Sequence, residues 1–191
     1  MNTTAPIDWS FEASRVRGRL VNEGDIDLYR ALYADADVMR YIAAVMGPDE
    51  VAAVFANALR HNANPAVRAR YWHVSHQRTG QMLGLAALVR DASLPTRGEL
   101  GLMLLPKVQH RGFGAQTLEC VVEGVLSQRW RLGVDEIVGR HAVDNVVVGR
   151  LVEHLGFKRF DIGSPGSVGW RMTADVWGIR LALRAPNPQH R

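Results

Sequence analysis

Seven residues, Gln109-His110-Arg111-Gly112-Phe113-Gly114-Ala115, constrain the fold of this chain more than any other stretch. They join the apolar run Glu99-Leu100-Gly101-Leu102-Met103-Leu104-Leu105, which Pro106 ends, to a longer run from about Gly112 to Trp130. In that second run Leu118, Val121, Val122, Val125 and Leu126 fall on one face at helical spacing. The chain must therefore turn from a strand into a long helix within the loop. The first-turn N–H groups of a helix have no intrahelical acceptor, and the helix dipole adds partial positive charge, so an anion on this loop is stabilised without side-chain charge. Glycine at 112 and 114 removes the Cβ atoms that would hold phosphate oxygens away, while His110 and Arg111 add donors. A pyrophosphate is the natural guest. No Gly-Lys-Ser/Thr closes the loop, so it is not a Walker loop. The third glycine and later acid of a dinucleotide fingerprint are also missing. Taken alone, Gly-x-Gly at a helix start also serves a tight strand-to-helix turn.

The remaining elements read as α+β, or mixed α/β. Residues 1–14 carry no clear periodicity and are expected to form an N-terminal arm. Val16 to Val21 is a first strand. Asp25 is expected to cap a helix whose buried stripe is Leu28, Tyr29, Leu32 and Tyr33, and a second short helix is expected over Asp35 to Ile42. Pro48 starts a third, which ends within His61 to Pro65. Tyr71–Ser75 and Met82–Val89 form a hairpin around Gln77-Arg78-Thr79-Gly80. Glu136 to His141 is a strand, Asp144 caps a helix that Gly156 stops, and Phe157–Ile162 and Val168–Thr173 are the last strands. One domain over 15–180 and a loose tail over 181–191 follow.

Several function classes drop out. No run of about 18 apolar residues occurs, so no membrane span is expected. No secretory signal is visible at Met1–Pro6, and a cytoplasmic protein is expected. The single cysteine, Cys120, rules out an internal disulfide and a cysteine-rich zinc site, and no metal is expected. The net charge of +4 comes from scattered arginines with no run of five, which argues against a nucleic-acid partner. That charge helps attract an anionic cofactor, or reflects compositional habit alone.

The stretch Gln109-x-x-Gly112-x-Gly114-Ala115 resembles the cofactor motif of the GNAT superfamily of N-acetyltransferases, Gln/Arg-x-x-Gly-x-Gly/Ala. The run Glu99-Leu-Gly-Leu-Met-Leu-Leu-Pro looks like the strand before that motif. Asp144-Asn145, opening a helix that ends Leu155-Gly156-Phe157, looks like the family's second cofactor segment. Asp35-Ala-Asp-Val-Met-Arg-Tyr-Ile is similar to a stretch of the ribosomal-protein N-acetyltransferase branch (RimJ/RimL-like). The resemblance runs from about Arg15 to Trp177.

It implies a central, mostly antiparallel twisted sheet with a splayed strand pair, flanked by helices. It also implies acetyl-CoA as cofactor, a primary amine as acceptor (a protein N-terminus or a small molecule), and direct transfer without an acyl-enzyme. In that frame Met103, Leu104 and Leu105 offer backbone to the pantetheine arm, and one of their N–H groups, Leu104 by preference, polarises the thioester carbonyl. Arg111 to Ala115 hold the pyrophosphate. Asn145 bonds the pantetheine arm or simply caps its helix. Glu99 is the candidate base, or else an exposed strand-edge glutamate. His73 and His76 are weaker candidates, each more often a packing or surface residue, and Cys120 is a packing residue. The acceptor cleft falls to residues 25–45 and 71–91, and a homodimer is left open. One departure matters: Val148 stands where the branch commonly carries serine, and all four tyrosines lie at or before Tyr71, so the acid that protonates the leaving thiolate is unassigned. A binder of acyl-CoA that has lost catalysis is the alternative.

Overall fold

The computed structural model describes residues 7–64, 66 and 69–184. Eight strands form one sheet in the order β1-β2-β3-β4-β5-β6-β8-β7. They are β1 (Phe11–Glu12), β2 (Val16–Leu20), β3 (Ala69–His76), β4 (Met82–Arg90), β5 (Arg97–Leu104), β6 (Glu136–Ala142), β7 (Lys158–Phe160) and β8 (Ser167–Thr173). Every neighbouring pair is antiparallel except β5 and β6, which run parallel. Among the described residues six α-helices cover the sheet: α1 (Ile26–Tyr33), α2 (Ala36–Met39), α3 (Pro48–Ala63), α4 (Phe113–Leu126), α5 (Val146–His154) and α6 (Ala174–Arg184). The architecture is the expected mixed α/β fold with a mostly antiparallel open sheet.

Two apolar clusters hold the layers together. On one face, Leu28, Tyr29 and Leu32 of α1 meet Val51 and Phe55 of α3 over Leu85 of β4. On the other, Val121, Val122 and Val125 of α4 meet Trp72, Leu88, Ile137 and Met172 from the sheet. β5 serves both: Leu100, Leu102 and Leu104 pack on the α4 side, and Met103 on the α1–α3 side. The period-two alternation of a strand thus assigns each β5 side chain to one face.

Several boundaries differ from the sequence reading. Residues 7–14 are docked rather than loose; residues 1–6 lie outside the described residues. Phe11 is buried and pairs with Gly18, where a Cβ would lie 2.2 Å from the Phe11 ring. Trp72 Nε1 donates to Trp9 O (2.7 Å) and Trp130 Nε1 to Asp8 O (3.0 Å). Asp25 stands at the N-cap of α1, as expected, but its side chain makes no cap hydrogen bond there. Asn22 caps a 3-10 turn over Glu23–Asp25, and the Asp25 side chain turns inward. α5 is capped by Asn145, not Asp144. α2 and α4 end earlier than their periodicity suggests, at Met39 and Leu126. α6 fills residues assigned no helix, with Trp177 buried and its Nε1 donating to Glu123 of α4. The tail expected from 181 therefore begins as the last turn of a helix, and 185–191 lie outside the described residues. No helix among the described residues is long and apolar enough to cross a membrane.

Candidate active site

β5 is paired with β4 from Arg90↔Gly98 to Gly84↔Leu104. With β6 it shares three positions only: Arg97↔Glu136, Gly98↔Ile137 and Glu99↔Val138. β6 then continues against β8 as far as Ala142↔Ser167. The two parallel strands therefore part after Glu99, and a gap opens between the C-terminal half of β5 and that of β6.

The hydrogen-bond phase of β5 decides which groups face this gap. Leu105 N–H donates to Leu83 O (2.9 Å). Antiparallel pairs alternate between bonded and unbonded positions, so Met103 and Gly101 also turn their N–H groups toward β4, while Leu102 and Leu104 turn theirs toward the gap. Of the three residues expected to offer backbone there, only Leu104 does so, and Leu102 joins it. Met103 presents its side chain instead. Leu104 O already accepts a bond from Gln109 Nε2 (2.9 Å), which ties the loop to the end of the strand.

The loop is built for tight reversal. Pro106–Val108 forms a 3-10 turn with Val108 buried. His110 (φ 59°) and Gly112 (φ 81°) lie in the left-handed region, and Gly112 stands at the N-cap of α4. Phe113 turns into the core under the Arg15 guanidinium, 4.4 Å from its ring centre, and edge-on to His76. Arg15 Nη1 donates to Arg111 O (2.8 Å). Arg15 thus clamps the loop from 96 residues away, a role with no local sequence signal.

Gap and loop open into one cleft of about 660 Å³. Met103, Leu104, Gln109, His110, Gly112, Gly114, Ala115 and Asn145 line it, whereas Glu99, Leu105, Arg111 and Phe113 do not. Asn145 Oδ1 accepts the Val148 N–H (3.4 Å), so the side chain caps α5 at the cleft wall. Val148 lines the same wall. Glu99 stands at the apex where the strands part and pairs with Arg140 of β6 (2.9 Å), both side chains partly exposed.

The histidines expected near the acceptor are placed elsewhere. His73 is buried against Asp25 (Nδ1 to Oδ1, 2.7 Å), and His76 packs on Phe113. His141, not singled out from the sequence, does line the cleft. Its Nε2 accepts from Trp170 Nε1 (2.9 Å), so Nδ1 carries the proton and donates to Ala142 O (2.7 Å). Both ring nitrogens are spent, which disfavours His141 as a base. Cys120 sits mid-helix, and burial pushes its thiol up to about 11, so little nucleophilic thiolate forms near neutral pH.

These residues fit coenzyme A. The open backbone at Leu102 and Leu104 accepts an extended polar chain as a further strand would be accepted. The first-turn amides of α4, which lack intrahelical acceptors and border the same cleft at Gly114 and Ala115, suit an anionic group. Among the described residues no group of three or more His, Cys, Asp or Glu is arranged to hold a metal ion.

A model of the acetyltransferase (GNAT) domain matches residues 15–158. The chain belongs to the GNAT acetyltransferase family. Its fold recurs in solved members of the family. A nucleotide-linked sugar GNAT, FdhC, aligns over 92% of this chain and 98% of its own, with a TM-score of 0.75 and 16% identity. The spermidine N-acetyltransferase of Vibrio cholerae, in complex with CoA and spermine, aligns over 86% and 99% with a TM-score of 0.72 and 18% identity. A GNAT-family acetyltransferase of Bacillus anthracis aligns over 87% and 99% with a TM-score of 0.70 and 15% identity. At these identities the likeness is one of fold. No curated protein matches the chain.

Proposed function

We propose that this GNAT protein is an N-acetyltransferase of the RimJ/RimL-like branch, moving an acetyl group from acetyl-CoA to a primary amine by direct attack. The observation that carries this reading is the sharing of one cleft by the parted β5–β6 edge and the Gly112–Ala115 amides. The α4 amides hold the pyrophosphate, with His110 beside them. Leu104 and Asn145 bond the pantetheine arm from opposite walls. Acetyl-CoA, when bound, supplies an activated acetyl carbon and a thiolate leaving group that water can protonate.

We take Leu102, whose N–H also faces the gap, as the carbonyl-polarising donor in place of Leu104. At about 3.3 Å per residue, Leu104 lies about 16 Å from Glu99 along β5 and Leu102 about 10 Å. A base at Glu99 and an oxyanion donor at Leu104 are too far apart to serve one reacting centre; Leu102 brings the pair within reach through the glutamate side chain and one water. Glu99 takes one proton from the incoming ammonium. As the amide forms, the second nitrogen proton passes to water, and water returns a proton to the departing thiolate.

Calorimetry with acetyl-CoA, followed by thiol-release assays over a panel of amines and peptides, tests the assignment. No heat at millimolar acetyl-CoA on folded protein would overturn it. Heat without thiol release on any acceptor would favour a non-catalytic acyl-CoA binder, the reading that Val148 prompts. Within the enzyme reading, Glu99→Gln should lower kcat about 100-fold near neutral pH. Glu99 stands where β5 and β6 are still paired, before the parted edge that takes the cofactor, so the variant's acetyl-CoA dissociation constant should hold. An unchanged kcat would remove Glu99 from the mechanism.

A further inference from the structure

Glu99, Gly101 and Met103 share the face of β5 that looks toward α1–α3. Gly101 is exposed in the middle of this strand, and a Cβ built there would meet no atom within 4 Å. The register runs evenly through Gly101↔Ala87, so no bulge calls for the glycine. A bare glycine in a regular strand marks a place where a ligand can approach the backbone. This open floor is bounded at one end by the Glu99–Arg140 pair. At the other end stand Met103 and, from the end of α2 and the turn after it, Tyr41 and Ile42, both exposed to the cleft. Asp37, the carboxylate of that wall, is already paired with Arg40.

We propose that the acceptor is a free α-amino acid with an apolar side chain, its carboxylate on Arg140, its ammonium beside Glu99, and its side chain against Met103, Tyr41 and Ile42. This rests on the acetyltransferase reading and names the acceptor class of the same site. Arg140 meets Glu99 through Nε (2.9 Å) and its side chain is 68% exposed, so its terminal nitrogens can reach a second carboxylate in the planar fork that guanidinium offers. An α-amino acid carries its two charges on neighbouring carbons, so a carboxylate on that fork puts the ammonium within reach of Glu99. The zwitterion meets an ion pair of matching polarity, and no net charge is taken out of water. A polyamine meets no such match at this end of the cleft, since Arg140 repels it and Asp37 is engaged, and the other lining carboxylate, Asp144, stands beside Asn145 at the α5 wall. A peptide N-terminus places a neutral amide against Arg140 and loses the charged contact.

The test uses the full chain with acetyl-CoA and compares kcat/KM, from thiol release confirmed by product mass, for L-leucine, L-methionine, leucinamide, a leucine-initiated dipeptide and spermidine. The free acids should exceed leucinamide and the dipeptide by about 30-fold or more, the factor that one hydrogen-bonded charge contact supplies. Leucinamide is the more easily deprotonated amine, so intrinsic reactivity works against this outcome. Arg140→Gln should bring the acid-to-amide ratio to within about threefold of one by raising KM for the acid. Gly101→Val, at a position with room for a Cβ, should raise KM for leucine about tenfold or more while Tm and the acetyl-CoA dissociation constant stay near wild type. The proposal is overturned if leucinamide, the dipeptide or spermidine equals or surpasses the free acids, if acetyl-CoA binds but no free acid is turned over, or if Arg140→Gln leaves the ratio unchanged. Absence of acetyl-CoA binding instead defeats the wider reading on which it rests.

Discussion

Gly114→Leu should weaken acetyl-CoA binding at least 100-fold, about 2.7 kcal/mol, while Gly114→Ala leaves it within a few-fold. A Cβ at Gly114 would sit 3.5 Å from Leu102 and Leu104 of β5 and 3.5 Å from Leu151 of α5, which is ordinary van der Waals contact. Alanine therefore fits. The further carbons of leucine must enter the space between β5 and α5, which is the throat of the cleft. Gly114 is buried, so Gly114→Leu should also lower Tm by several degrees, and calorimetry below that Tm, on folded protein, should lose the acetyl-CoA signal. Gly112 behaves differently. At φ 81° it holds a left-handed conformation that costs an L-residue about 1–2 kcal/mol. Gly112→Val should lower Tm and affinity together, because the strain misplaces the amides that follow. Wild-type affinity in Gly114→Leu would mean that the ligand does not pass between β5 and α5.

The loop could be read from the sequence because its signals are local: an apolar run stopped by Pro106, two glycines, then a one-sided apolar helix. The strand pair needed more. Nothing in Glu99–Leu105 or Glu136–His141 says that two parallel strands will pair for three positions and then part; that expectation came from the family resemblance. Hydrogen-bond phase was equally hidden. Whether Leu102 or Met103 turns its N–H into the gap depends on the register with β4, which the Leu105–Leu83 bond fixes. Arg15, Arg140 and the docked segment 7–14 escaped for a common reason. Each acts through partners distant in sequence: Arg111, Glu99, and the indoles of Trp72 and Trp130. A two-residue strand such as Phe11–Glu12 carries no period at all, and α6 hides its inward face in one residue, Trp177.

Asp25 shows how a residue with an ordinary local role can take a tertiary one. From the sequence it is a helix cap. In the fold its side chain is 3% exposed, and it gathers Arg19 of β2 (2.7 and 2.8 Å), the Asn22 N–H (2.9 Å) and His73 of β3 (2.7 Å) around the start of α1. Burial alone would push its carboxyl upward. The Arg19 guanidinium, the Asn22 amide and His73 together outweigh burial and hold it at about 2, below the ordinary 3.8. A carboxyl depressed in the folded state contributes stability above its unfolded value and loses it as pH falls through the folded one. The window is therefore about pH 4 down to about pH 2, and the contribution at neutral pH is about 2 kcal/mol. Removing the carboxylate costs more than this, because Arg19 and His73 are left facing a cavity. Asp25→Ala should lose about 3 kcal/mol, a fall in Tm of about 6–12 °C for a domain of this size. Asp25→Asn separates charge from shape: between pH 5 and pH 2 wild type should lose stability in urea titrations that the variant has already lost. The consequence reaches the acceptor side, since α1 leads directly into α2 and the turn bearing Tyr41 and Ile42, whereas the loop at Gly112 is clamped from Arg15. The variant should therefore raise KM for the acceptor and leave the acetyl-CoA dissociation constant near wild type. Equal pH dependence in wild type and Asp25→Asn would place the acid-sensitive stability in other carboxylates.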